Sequence, residues 1–222
     1  MRNFVIALPL PASFEITLPE KGTAWTLPGC SVTLTPSLQS KVEALEQIFE
    51  EHAPLETDER AAIQNHGRLF FIQGTLRTTE DFQSLNRALN SLLEQGALGV
   101  YMEHSGTAFS RNHFRELLEN APMEAWLNFV EKENYLYTLG MEAFGLADLR
   151  ISLERGAEAA RELLLAAAEL IFTERLPVET GFRLELSEGE EIEFRKAAES
   201  LYRKTDFEYN RNGIWNLACP GA

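Results

Sequence analysis

The first third of the chain is a series of short apolar segments broken by prolines. Residues 4–8, 14–18 and 31–35 set β-branched and aromatic side chains between prolines 9, 11, 19, 28 and 36, which predicts three short strands. Ser37 then stands as a helix N-cap, because Leu38, Val42, Leu45 and Phe49 follow at spacings of four, three and four. From 50 to 66 the pattern dissolves into charge around Pro54 and reads as an exposed connection. Residues 69–72 are continuously apolar, as in a strand covered on both faces. Thr78 or Thr79 caps the next helix, whose stripe of Phe82, Leu85, Leu89, Leu92 and Leu93 stops at Gly96. A strand over 97–103 follows, so strand, helix and strand predict a right-handed βαβ unit with parallel strands.

A short helix starts at Ser110, and residues 126–130 and 135–141 form a hairpin around 131–134. Residues 154–173 read as one long helix, with Ala157, Ala160, Leu164, Ala167 and Ile171 on one face. Phe182, Leu184 and Leu186 alternate with polar residues, as do Ile192 and Phe194, and the turn between them is 187–190. Asn212-Gly213 between Phe207/Tyr209 and Ile214/Trp215 signals a further hairpin. No internal repeat is present. The elements predict an α+β fold, a mixed sheet with helices on one face in a ferredoxin-like arrangement, elaborated or doubled. The whole of 1–222 is read as one domain, with 67–195 as its core and 1–66 as an N-terminal part.

Charge narrows the partners. With 34 Asp and Glu against 20 Lys and Arg, the formal net charge is -14. Such a chain repels phosphate backbones and anionic lipid, which argues against nucleic acid and membrane surface as partners. The acidity is uneven: residues 37–66 hold seven carboxylates against two basic side chains. The two cysteines, Cys30 and Cys219, are far apart and belong to no Cys/His cluster, so they read as free thiols in a reducing cytoplasm. The apolar start is cut by Pro9, shorter than a signal-peptide core, and no stretch approaches the length of a membrane span.

Two segments carry a family resemblance. One is Gly96-Ala97-Leu98-Gly99-Val100-Tyr101 with Ser105-Gly106-Thr107-Ala108-Phe109-Ser110 and Phe114, and the other runs from Leu136 through Thr138, Gly140 and Gly145-Leu146 to Ile151. Together they resemble a bacterial family catalogued as domain of unknown function 4261, over about 69–194. Met102 departs from that family's Trp, and Ala147-Asp148 from its Pro-Glu. The resemblance implies relatives and carries no activity over to this chain.

Reactive side chains concentrate in one place. Glu103, His104 and His113 are the candidate catalytic residues, and Tyr101, Ser105 and Ser110 the candidate ligand-binding ones. They stand where a strand empties into a loop and a helix N-terminus, a recurrent ligand position. There Glu103 or His104 would serve as general base and the 105–110 loop as an anion cradle. The plainer alternative makes Ser110 an N-cap, Gly106 a turn residue and the histidines partly exposed. Strand parity sends Glu103 and His104 to opposite faces, and His104 and His113 lack a metal-ligand spacing. No nucleophile elbow, phosphate loop or dinucleotide fingerprint occurs, and no cofactor or metal is called for. Trp126, Phe129, Tyr135 and Tyr137 read as core and cross-strand pairs rather than a ligand platform. The acidic run at 188, 190, 191 and 193 lacks calcium-loop spacing and reads as a solvated hairpin face.

Three functions compete. The first is a non-catalytic interaction module whose acidic surface holds a basic protein partner. The second is a small-molecule hydrolase working at 101–113, and the third a structural subunit that assembles as a homodimer.

Overall fold

The computed structural model describes residues 4–20, 23–187, 190–197, 202–203 and 209–219. The chain forms two compact units, Met1–Trp126 and Leu127–Ala222, each with its own sheet. Instead of one mixed sheet there are two, in an α+β arrangement.

The first unit contains β1 (Phe4–Leu10), β2 (Thr35–Ser40), α1 (Leu45–Glu50), α2 (Thr57–Gln64), β3 (Arg68–Gly74), α3 (Thr79–Glu94), β4 (Gly99–Met102), β5 (Thr107–Ser110) and α4 (Arg111–Asn120). The strand order is β2-β3-β1-β4-β5. Both β3 and β4 pair antiparallel with β1, so they run in the same direction, as the βαβ pattern requires. They are not neighbours, because β1 is inserted between them. Its sequence explains the central place: six of its seven residues are buried, among them Ile6, Leu8 and Leu10. Pro9 does not end this strand, since its carbonyl accepts from Leu98 N at 2.9 Å and it pairs with Leu69.

Helices cover both faces of this sheet, where the sequence predicted one. Leu69 and Ala108 pack with Leu45, Phe49 and Ile63 of α1 and α2, with Phe71 and Tyr101 beside them. Gly99 makes that approach available: a Cβ there would lie 2.6 Å from the Phe49 ring and 2.6 Å from the Phe109 carbonyl oxygen. Strand parity puts Ile6, Leu8, Phe70, Ile72 and Met102 on the opposite face, all with no exposed surface. Phe4 of that face meets Trp126 edge-on at 5.6 Å, and Trp126 meets Phe82 of α3 at 5.7 Å. The α3 helix starts as predicted, with Thr78 Oγ1 accepting from Asp81 N at 3.0 Å, and Gly96 follows it at a φ of 119°.

Several expectations fail in this unit. Residues 14–18 form no strand, and of the strand predicted over 31–35 only Leu34, in an isolated bridge with Trp25, and Thr35, the first residue of β2, are paired. Ser37 caps no helix but lies in the edge strand β2, opposite Phe71, and helix α1 begins only after Ala44 at a φ of 59°. The Leu38 and Val42 spacing imitated a helix, whereas the ladder to β3 determines the structure, and Pro36 is tolerated because β2 is an edge. The 50–66 stretch contains α2, whose polar sequence buries Ile63 and is started by a capping box between Glu56 and Glu59.

The second unit contains β6 (Asn128–Lys132), β7 (Tyr135–Leu139), β8 (Asp148–Ser152), α5 (Ala157–Thr173), β9 (Arg183–Ser187), β10 (Glu190–Lys196) and β11 (Ile214–Ala218). The order is β6-β7-β8-β11-β10-β9, and β8 with β11 is the parallel pair in an otherwise antiparallel sheet. The hairpin predicted from 126–130 and 135–141 forms over 128–132 and 135–139, with Glu131 and Lys132 in the strand rather than the turn, and the paired strands around 182–194 are present, although Glu188 and Gly189 of the second turn lie outside the described residues. The long helix starts three residues later than its sequence pattern, because 153–155 form a 3-10 turn and Gly156 adopts a φ of 89°. Asn212-Gly213 makes its turn, with Gly213 at a φ of 87° and Asn212 N donating to Asn210 Oδ1 at 2.8 Å. The hairpin predicted from it is absent for Tyr209, which is not in a strand, and Phe207 lies outside the described residues. Both edges of β11 are occupied instead by β8 and β10.

Candidate functional site

The predicted reactive segment is a β-hairpin followed by a helix. Strand β4 turns through 103–106 directly into β5, and Gly106, at a φ of 69°, closes the turn with its N–H on the Met102 carbonyl at 2.8 Å. The candidates are thereby divided. Glu103, His104 and Ser105 occupy the turn, next to the Met102–Thr107 pair. Ser110 stands at the other end, opposite Gly99, where its Oγ caps α4 by accepting from His113 N at 3.4 Å. Three strand residues at about 3.4 Å each put the two groups roughly 10 Å apart. Tyr101 faces the α1–α2 core, and the His113 ring meets Phe109 edge-on at 5.2 Å.

At the turn, the hydroxyls of Ser105 and Thr107 bond each other at 2.8 Å in a buried position. Glu103 is half-buried, and burial pushes its carboxyl above the usual range. His104 is the most unusual group. Neither of its ring nitrogens reaches solvent or meets a hydrogen-bond partner, and its ring lies 5.4 Å from that of Trp126. Loss of hydration lowers its pKa to about 4, with the Val5 carbonyl, near the ring but outside hydrogen-bond geometry, working the other way, so the imidazole is neutral. Trp126 Nε1 donates to Asn86 Oδ1 at 2.8 Å, which fixes the indole against which His104 rests. With both ring nitrogens enclosed, the imidazole presents no acid or base to solvent, and the hairpin does not bring it to His113.

Two groups escaped the sequence reading. His52, at the end of α1, sits by the same turn: burial lowers its pKa, while Glu51 and the Gly106 carbonyl act oppositely. It was hidden in a charged stretch that looked like exposed connection. Asp148 is the second, a buried carboxyl at the start of β8. Met141 N donates to its Oδ1 at 3.2 Å, and Asn210 and Thr138 also hydrogen-bond it. Burial nevertheless raises its pKa to about 7, helped by the charge of Glu142, which pairs with Arg211 at 2.9 Å. Its sequence signal was faint, a lone acid before the apolar Leu149 and Ile151.

Tyr135 and Tyr137 are neighbours on β7, their rings 6.2 Å apart, with the Arg150 guanidinium 4.7 Å over Tyr135. Among the described residues no cluster of His, Cys, Asp and Glu could hold a metal ion. Both cysteines are free thiols, Cys30 buried and Cys219 half-exposed. Among the described residues no helix is long and apolar enough to cross a membrane.

Carboxylates also gather on α1, α2 and the residues beside them. Glu43, Glu51, Glu56 and Asp58 are exposed, while Glu50 is held by Arg60, and Glu59 accepts from Asn112 Nδ2 at 3.1 Å. Compared with protein-family models, curated proteins and solved structures, the chain matches none of them.

Proposed function

We propose that this protein is a non-catalytic interaction module that holds a basic protein partner against the acidic α1–α2 side of its first unit. The observation that carries this reading is the division of the reactive side chains. Glu103 and His104 sit at one end of the β4–β5 hairpin and Ser110 and His113 at the other, which leaves a hydrolase without a converged acid, base and nucleophile. The exposed Glu43, Glu51, Glu56 and Asp58 offer a charged surface whose worth lies in steering and selecting a cationic partner. A homodimer has less support, because Val42 is the one large apolar side chain exposed among the described residues.

The same reading includes membership of the bacterial family that the 96–114 and 136–151 segments resemble, and a cytoplasmic location. It also includes a ferredoxin-like arrangement for the first unit, suggested by α3 linking two like-directed strands with β1 between them. Capture from native lysate at low and high salt tests the partner. The expected result is a retained protein that high salt releases and that a Glu43→Lys/Glu51→Lys/Asp58→Lys variant fails to hold. Equal capture by that variant would refute the reading.

A further inference from the structure

In the first unit, residues 14–17 and 25–28 wall a cavity of about 290 Å³ against α3. The helix side of the wall is one stripe, Ala88 with Leu92 and Ser91 with Gln95, each pair four residues apart. Burial alternates along both chain segments: Phe14 and Leu27 are buried, Ile16 and Trp25 half-buried, and Glu15, Thr17 and Thr26 exposed. That alternation is the pattern of a strand with one face turned inward. The Trp25 ring also meets Phe70 edge-on at 6.0 Å, on the face of the sheet opposite α1 and α2.

These segments have strand patterning without strand pairing. Phe14 is anchored: its N–H donates to the Pro11 carbonyl at 3.0 Å, and Arg68 Nη2 donates to its own carbonyl at 2.6 Å. From Glu15 to Thr17 no backbone N–H or C=O has a partner among the described residues, and the same holds for Thr26. The 14–18 sequence carries the apolar and β-branched alternation of a strand, so it offers an open edge beside an apolar hollow. Main-chain donors and acceptors of this kind match another peptide backbone. A cavity of about 150 Å³ admits a benzene ring, so this one takes two apolar side chains, which a strand supplies at i and i+2. The one charged residue in the wall, Glu15, is exposed and has no ion-pair partner among the described residues. The residue between the two apolar ones is therefore basic.

We propose that this cavity takes an extended apolar-basic-apolar segment of a partner protein, which adds as a strand beside 14–17. Its two apolar side chains fill the space before Trp25, Leu27 and the α3 stripe, and its basic side chain lies by Glu15. The site is on the α3 face of the first sheet and does not depend on the acidic α1–α2 side.

The test is a titration of the full chain with the peptide acetyl-Thr-Val-Lys-Leu-Thr-amide, followed by amide NMR shifts. Saturable shifts confined to 14–17, 25–28 and 88–95 are expected, and the Glu43→Lys/Glu51→Lys/Asp58→Lys variant should keep them. The same peptide methylated on every backbone nitrogen should bind at least about tenfold more weakly, because it cannot donate to the open edge. Ser91→Leu fills the cavity from α3 with a strong helix former and should weaken binding by at least about tenfold. Glu15→Lys, a change at an exposed side chain, should reverse the preference for the lysine peptide over its analogue with glutamate in that place. Absence of site-confined shifts, or their loss in the α1–α2 variant, would overturn the proposal. So would unchanged affinity in folded Ser91→Leu or an unreversed preference in Glu15→Lys. Equal binding of the methylated peptide would overturn it too, and would assign the cavity to apolar contact alone.

Discussion

His104 lies against Trp126 with ring centroids 5.4 Å apart and planes inclined by 36°, and neither of its nitrogens has a hydrogen-bond partner. A neutral imidazole so placed forfeits one donor and one acceptor bond that it makes in water. His104→Phe keeps a planar ring against Trp126 and removes the orphaned groups, so it should stabilise the chain by about 1–3 kcal/mol. The pH dependence follows from the lowered pKa. The unfolded chain binds a proton near the ordinary 6.5 and the folded one only near 4, so His104 makes stability fall as pH drops between those values. Urea unfolding at pH 7 and pH 4.5 should show the gain of His104→Phe growing at the lower pH. A variant less stable than the parent at both would show that the imidazole is satisfied in solution.

Asp148 acts in the opposite sense. Its carboxyl titrates near 7 in the folded chain against 3.8 as the ordinary value, so the folded state holds the proton more tightly. The stability it contributes is complete below about 3.8 and is lost as pH rises through about 7. Asp148→Asn retains an acceptor for Met141 N and cannot ionise, so it should melt higher than the parent at pH 8 and lose most of that advantage at pH 5. Melting curves across this range decide the matter, and a variant that melts lower at pH 8 would show that the carboxylate is stabilised by its three hydrogen-bond donors. Glu103, also raised by burial, adds a slope of the same sign as Asp148, which is why single variants are needed to separate them from His104.

Which parts of this fold were legible follows from what each residue answers to. The α3 helix could be read because its cap, its apolar stripe and its Gly96 stop are all local. The β6–β7 hairpin was equally local. Ser37 was misread because β2 owes its conformation to β3, thirty residues on, and not to its own spacing of Leu38 and Val42. The same holds for β11, whose turn at Asn212-Gly213 was plain but whose neighbours β8 and β10 come from elsewhere in the chain. At the candidate site, proximity in sequence grouped Glu103 with His113, and the hairpin then set them at opposite ends. His52 and Asp148 stood alone in sequence, and only burial singles them out.

Gly99 provides a test of the packing of α1 on the sheet. Its missing Cβ would meet the Phe49 ring and the Phe109 carbonyl oxygen, both at 2.6 Å, and the carbonyl cannot yield without disturbing the β4–β5 ladder. Gly99→Ala should therefore destabilise the chain by about 1–3 kcal/mol, the usual cost of overpacking. The double variant Gly99→Ala/Phe49→Leu relieves the ring contact and should cost less than the sum of the two single changes. Strict additivity in denaturant unfolding would mean that the two residues do not meet.

The two thiols should differ sharply in reactivity. Cys30 is 9% exposed, and burial pushes its thiol up, with the Asp81 charge adding to that and the Ser84 hydroxyl opposing it. The thiolate is the reactive form, so Cys30 is both shielded and held protonated. Cys219 is half-exposed, with Arg155 Nη1 3.8 Å from its Sγ. An aromatic disulfide reagent should therefore titrate one thiol rapidly in the native protein and the second only after unfolding. Cys219→Ser should abolish the fast phase, and Cys30→Ser should leave it intact. A fast phase that survives Cys219→Ser would place Cys30 within reach of solvent and contradict its packing against Ser84 of α3.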